Sequence, residues 1–97
     1  MFLKIHRSPE LGDVVALCDR ELINTTVTDG KITVTISESF YGTGTATEAE
    51  VCEALKNADN INIMGERSVG IAERMGLITR SGCIMIGKVP HAQIYRL

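Results

Sequence analysis

The pair Asp29-Gly30 divides two short alternating runs, Thr25-Thr26-Val27-Thr28 and Lys31-Ile32-Thr33-Val34-Thr35-Ile36. A tight reversal between two strands needs positive φ, which Asp-Gly adopts at little cost, so the segment predicts a β-hairpin. Ile32, Val34 and Ile36 share one side and Lys31, Thr33 and Thr35 the other, the pattern of a strand with one buried and one solvated face. The sheet therefore has a solvent side here. At a length of 97 residues only about 60 to 65% of the unfolded surface is buried on folding, which gives one modest core and little room for a deep, enclosed active site. A shallow surface site or an oligomer interface suits it better.

The rest of the chain extends that sheet. Phe2 to Arg7 alternates, Ser8-Pro9-Glu10-Leu11-Gly12-Asp13 interrupts, and the apolar run Val14 to Cys18 follows, predicting two antiparallel neighbours. Asp19 is placed to accept from the backbone N–H groups of a single turn over Arg20 to Ile23. Thr47-Glu48-Ala49-Glu50 reads as a capping box, opening a helix with Val51, Ala54, Leu55 and Ala58 along one stripe and ending near Asn57 to Asn60. Ile61 to Met64 reads as a strand. Gly65 then hands over to a second helix, Glu66 to Met75, with Ile71, Ala72 and Met75 as its apolar face and Gly76 as a left-handed C-terminal cap. Gly70 weakens that helix and suggests close packing. Cys83 to Ile86 and Ala92 to Arg96 complete the strands. No repeat, linker or low-complexity tract divides the chain, so the expectation is a single α+β domain over residues 1–97, with two helices covering one face of an antiparallel or mixed sheet.

Composition narrows the function classes. The longest apolar run has five residues, Val14 to Cys18, against roughly 18 to 20 for a membrane span, and no secretory leader pattern opens the chain. These features lead to the expectation of a soluble cytoplasmic protein. Three cysteines, Cys18, Cys52 and Cys83, form no CxxC pair and read as small core residues. The net charge is −2, but it is unevenly placed. Residues 1–66 hold 11 acidic and five basic side chains, whereas residues 67–97 hold Glu73 against Arg67, Arg74, Arg80, Lys88 and Arg96. A basic C-terminal third of this kind is either a solvated surface or a patch that attracts an anion.

Three segments carry candidate chemistry. At Gly65-Glu66-Arg67-Ser68 a helix start sets free N–H groups beside a guanidinium and a hydroxyl, a combination that suits an anion. Tyr41-Gly42-Thr43-Gly44-Thr45-Ala46-Thr47 resembles a nucleotide loop, yet Thr47 stands where a third glycine belongs and no GK[ST] follows. It reads as a connection. In the last strand His91, Gln93 and Tyr95 alternate with Ala92, Ile94 and Arg96, so three hydrogen-bonding groups share a face; Lys4 and His6 join them if the first and last strands are neighbours. His6, His91 and the cysteines have no metal-ligand spacing, and no cofactor motif is present.

The segments KIHRSP, GDVVALCDREL, ESFYG, MGERSVGIAERMGLI and GKVPHAQIYRL together resemble the archaeal domain of unknown function 424 family, with Val89-Pro90-His91-Ala92-Gln93 the most distinctive. The chain departs from that pattern at Thr43-Gly44-Thr45 and at Ser68, where a small apolar residue is expected. The resemblance implies an archaeal cytoplasmic origin and a small α+β fold, and brings no activity or ligand with it. The functional expectation is a non-catalytic binding module whose basic C-terminal third meets RNA, the translation machinery or an acidic protein through Arg67, Ser68, Lys88, His91, Gln93 and Tyr95. An enzyme or small-molecule binder built on His91, Gln93 and Tyr95, and a homo-oligomer, are the alternatives.

Overall fold

A computed structural model describes residues 1–10 and 12–96. Strands β1 (Phe2–His6), β2 (Val14–Cys18), β5 (Asn60–Met64), β6 (Ile84–Ile86) and β7 (Val89–Tyr95) form one mixed sheet in the order β1-β2-β5-β7-β6. β2 and β5 run parallel, and every other pair is antiparallel. The unbroken apolar run of β2 now has its reason: the strand is internal, and Val15 to Cys18 are buried whichever face they point to.

Helices α2 (Glu48–Asn57) and α3 (Glu66–Arg74) lie on one face of the sheet. They pack Val51, Leu55, Val69, Ile71 and Ala72 against Val15, Leu17, Ile61, Ile63 and Ala92. Full burial of one such Leu or Ile side chain stabilises by about 1.5 to 3 kcal/mol, so this layer carries much of the fold. The α2 capping box is present, with Glu50 N donating to Thr47 Oγ1 at 3.2 Å and Thr47 N to Glu50 Oε1 at 3.0 Å. Those bonds hold the Glu50 carboxyl below its usual pKa of 4.5. α3 closes at Gly76, with Gly76 N donating to Glu73 O and Leu77 N to Ala72 O.

The hairpin forms, but apart from the main sheet. β3 (Thr26–Asp29) and β4 (Ile32–Thr35) pair only with each other. The reversal is centred on Gly30-Lys31 rather than Asp29-Gly30: Asp29 pairs with Ile32, and Gly30 alone takes positive φ, at 59°. With glycine first, a single left-handed residue completes the turn, and the aspartate is freed for the strand end. Its carboxylate accepts from Gly87 N at 3.2 Å, pinning the hairpin to the β6–β7 turn. The apolar side of β4 is graded, from Ile36 fully buried through Val34 to Ile32 at 52% exposed. The hairpin base is buried against the sheet, and its tip touches the sheet at the β6–β7 turn.

Beside the hairpin sits a short helix that the sequence pattern did not reveal, α1 (Glu38–Tyr41). Hairpin and helix cover part of the second face of the sheet, where Phe2, Ala16, Cys18, Ile36, Tyr41, Met64 and Ile86 form a second core. α1 carries Phe40, which stacks on His6 with ring centroids 4.9 Å apart, and its carbonyls accept from Lys4 Nζ and His6 Nε2. The following loop seals an edge: Leu3 N donates to Gly44 O and Ala46 N to Met1 O. The Gly/Thr segment is thus a strand cover. Among the described residues no helix is long and apolar enough to cross a membrane.

Candidate functional site

Two places draw on the residues singled out in the sequence: the start of α3 and the outward side of β7. At the first, Asp19 directly follows β2 and is 3% exposed. Its carboxylate accepts from Ser68 N at 2.8 Å, Ser68 Oγ at 2.8 Å and Arg67 N at 3.1 Å. The aspartate does not cap the turn that follows it, a 3₁₀ turn at Arg20–Leu22 closed through backbone bonds alone. It caps α3 from a neighbouring strand instead, placing a negative charge at the positive end of that helix. Gly65 makes this approach possible: at φ 113°, a Cβ there would lie 2.4 Å from Asp19 Cγ. The anion at this helix start is therefore the protein's own, and Ser68 is fully buried beneath it.

The cations of the C-terminal third are distributed among acids that the first two-thirds largely supply. Arg74 meets Glu48 at 2.8 Å, Arg80 meets Glu66 at 2.7 Å and Glu73 at 3.2 Å, and Arg67 stands 4.0 Å from Glu21. The two carboxylates around Arg80 hold its guanidinium more firmly protonated still. Arg96 donates to the carbonyls of Leu55 and Lys56 at the end of α2. Lys88, exposed in the β6–β7 turn, has no ion-pair partner among the described residues. It borders a small hollow of about 180 Å³ with Asp19, Glu21, Gly65 and Pro90. The charge imbalance of the linear sequence is thus largely compensated in space.

The second place is the outward side of β7. The strand starts at Val89, not Ala92, and Pro90 lies within it. Pro90 O accepts from Gly65 N, so its nitrogen also faces the α3 entrance, beyond the last β5–β7 pair, where no ladder bond is lost. His91, Gln93 and Tyr95 do share a face, and the register sets Gln93 opposite Asn62 and Tyr95 opposite Asn60. β2 and β5 separate β7 from β1, so Lys4 and His6 do not join them. His91 and His6 also sit at opposite ends of the sheet, His91 level with Met64 and Cys18, His6 level with Val14 and Asn60.

The result is a strip of uncharged hydrogen-bonding groups on rigid strands. Tyr95 is 64% exposed, Gln93 is exposed, and Asn60, Asn62 and His91 are half-buried. Asn60 Oδ1 is enclosed without a hydrogen-bond partner among the described residues. His91 Nδ1 lies 2.9 Å from Ile63 O, and since a carbonyl only accepts, Nδ1 carries the proton and Nε2 of the neutral ring is an acceptor. Ile84, opposite His91 and 60% exposed, adds an apolar flank. Sequence reading missed Asn60 and Asn62; their alternation with Ile61 and Ile63 was the available signal.

Three of the distinctive segments, GDVVALCD, MGERS and VPHAQ, meet where β2 ends, α3 begins and β7 begins, through Asp19 N to Met64 O at 3.0 Å, Gly65 N to Pro90 O at 2.9 Å and the Asp19 bonds to Arg67 and Ser68. The sequence model of a family described as "Protein of unknown function (DUF424)" matches residues 6–97. The chain belongs to the DUF424 family. No curated protein matches it. Among solved structures, the DUF424 chain is similar to an uncharacterized conserved protein from Methanopyrus kandleri, with 28% identity and a TM-score of 0.82 over 99% of this chain and 90% of that one. In this DUF424 protein those three segments thus build a structural node, and the strip on β5 and β7 runs out from it into solvent.

Burial withdraws one of the three thiols from the surface. Cys18 is fully buried, and burial pushes its thiol up to about 11 from 9.0; Tyr41, in the same core, is pushed up to about 12 by its own burial. Cys52 and Cys83 are half-buried and free.

Proposed function

We propose that this protein is a non-catalytic binding module of the cytoplasm whose partner is a single-stranded segment of RNA, held on the outward strip of β5 and β7. The observation that carries this reading is the side-by-side placement of Asn62 with Gln93 and Asn60 with Tyr95. Amide side chains fixed on strands offer donor and acceptor pairs to base edges, and an exposed tyrosine offers a stacking plane, the two means by which unpaired bases are read. Lys88, unneutralised beyond one end of the strip, serves phosphate. Arg67 and Ser68 contribute through structure, Ser68 as an Asp19 partner and Arg67 as an exposed charge beside Glu21. Three free cysteines fit a reducing compartment.

Fluorescence anisotropy with single-stranded and duplex RNA at several salt concentrations tests the reading. The expected result is a preference for the single strand with a shallow salt slope, since few cations take part. Tyr95→Ala should weaken binding about tenfold or more, given stacking worth about 1 to 3 kcal/mol per base. Lys88→Ala should lower the salt slope by about one. Absence of binding at low salt, or binding indifferent to both Tyr95→Ala and Gln93→Ala, overturns the RNA reading and favours a protein partner.

A further inference from the structure

β1 is an edge strand of the main sheet, and its outer side is only half covered. The loop through Gly44 and Ala46 pairs with the backbone of Met1 and Leu3 and goes no further. Backbone groups alternate along a strand, so Ile5, two residues beyond Leu3, also turns its N–H and C=O outward, where no described residue meets them. Below this open edge runs a groove of about 490 Å³ between β1 and α2, floored by Leu3, Ile5, Val15, Ala54 and Ala58. Ile5 is 39% exposed within it.

The rim is charged in a self-complementary way. α2 contributes Glu50 and Glu53 along one wall, and β1 leads into Arg7, which shares the groove side with Leu3 and Ile5. The Arg7 side chain is 76% exposed and pairs with Asp13 at 2.8 Å, its one ion-pair partner among the described residues. Glu50 Oε1 accepts from Thr47 N, which leaves its second oxygen for another donor.

We infer that this groove is the interface of a symmetric dimer, in which β1 of one copy pairs antiparallel with β1 of a second over Lys4 to His6, the stretch the loop leaves open, across a two-fold axis near Ile5. Antiparallel pairing reverses the strand, so Arg7 of each copy moves toward the Leu3 end of its partner, where Glu50 and Glu53 line the wall. The same complementarity occurs twice, as an isologous contact requires. The two Ile5 side chains meet over the apolar floor, and the open backbone groups of each strand find partners. A ten-stranded sheet results, and it leaves the strip on β5 and β7 free.

Sedimentation velocity over a wide concentration range, with light scattering for mass, tests this on the full chain. The expected result is a dimer of the wild type, weakened at least tenfold by Arg7→Glu and by Ile5→Lys, and recovered when Arg7→Glu is combined with Glu53→Lys. Circular dichroism should show all three variants folded, since Ile5, Arg7 and Glu53 are exposed. In a Cys52→Ser/Cys83→Ser background, Ile5→Cys should cross-link to itself under mild oxidation, because paired strands place opposite Cα atoms about 5.5 Å apart. A protein monomeric at every concentration, or a dimer indifferent to Ile5→Lys and Arg7→Glu, overturns the proposal.

Discussion

Replacing Asp19 by alanine should be the most damaging single polar substitution in this protein. The change removes an acceptor of three hydrogen bonds, leaving Arg67 N, Ser68 N and the fully buried Ser68 hydroxyl without it. Bonds to a charged acceptor contribute about 1.5 to 3 kcal/mol each, but the three share one carboxylate and the lost helix cap is part of the same set, so they are not additive and their joint loss should amount to about 3 to 5 kcal/mol. A domain of this size is stable by about 5 to 15 kcal/mol, so about a fifth or more disappears. Urea unfolding should show the midpoint falling by more than about 1 M, and thermal unfolding a Tm lower by roughly 15 to 30 °C. Asp19→Asn, which keeps one acceptor oxygen, should lose about half as much. Gly65→Ala supplies the internal check. Its penalty combines strain at φ 113° with a collision against the Asp19 carboxylate, and only the collision disappears in Asp19→Ala. The double variant should therefore be more stable than the sum of the singles predicts, by about 1 kcal/mol or more. A loss under about 1 kcal/mol for Asp19→Ala, or strict additivity with Gly65→Ala, would refute the argument that this carboxylate holds α3 to the sheet.

Gly70 lies in α3 with helical φ, and a Cβ there would meet nothing closer than the flexible Arg74 guanidinium at 3.5 Å; Gly70→Ala should stabilise by about 0.5 to 1 kcal/mol, read as a rise in Tm. Cys18 has its thiol raised from 9.0 to about 11 by burial, so its contribution is complete below pH 9 and is lost as pH rises through about 11; Cys18→Ala should flatten the fall of stability across that window in urea titrations. The same burial should leave Cys18 unlabelled by a thiol reagent at pH 8 while Cys52 and Cys83 react. Glu50 has its carboxyl lowered from 4.5 by Thr47, so its contribution is complete above pH 4.5 and is lost as pH falls through the lowered value; Glu50→Gln should reduce the acid sensitivity of unfolding there.

Local chemistry in the sequence determined the elements whose stabilising bonds join near neighbours. The capping box at Thr47 and the cap at Gly76 stand where their residue patterns place them, because each depends on contacts within about four residues, and the hairpin forms with its reversal one residue along, at Gly30-Lys31. The shared face of His91, Gln93 and Tyr95 was legible for the same reason, since alternation along a strand is a property of the strand alone. The sequence could not assign partners across distance. Asp19 had backbone N–H groups available in the turn beside it, but bonds Ser68, 49 residues away, because the parallel pairing of β2 with β5 brings the end of β2 to the start of α3. The basic C-terminal third lost most of its excess charge to Glu21, Glu48 and Glu66 by the same convergence. α1 escaped notice because four residues carry too little periodicity to register. The separation of His6 from His91 followed from strand order, which is set by how two helices and a hairpin cover opposite faces of one sheet, and that is a property of the packed chain rather than of any segment of it.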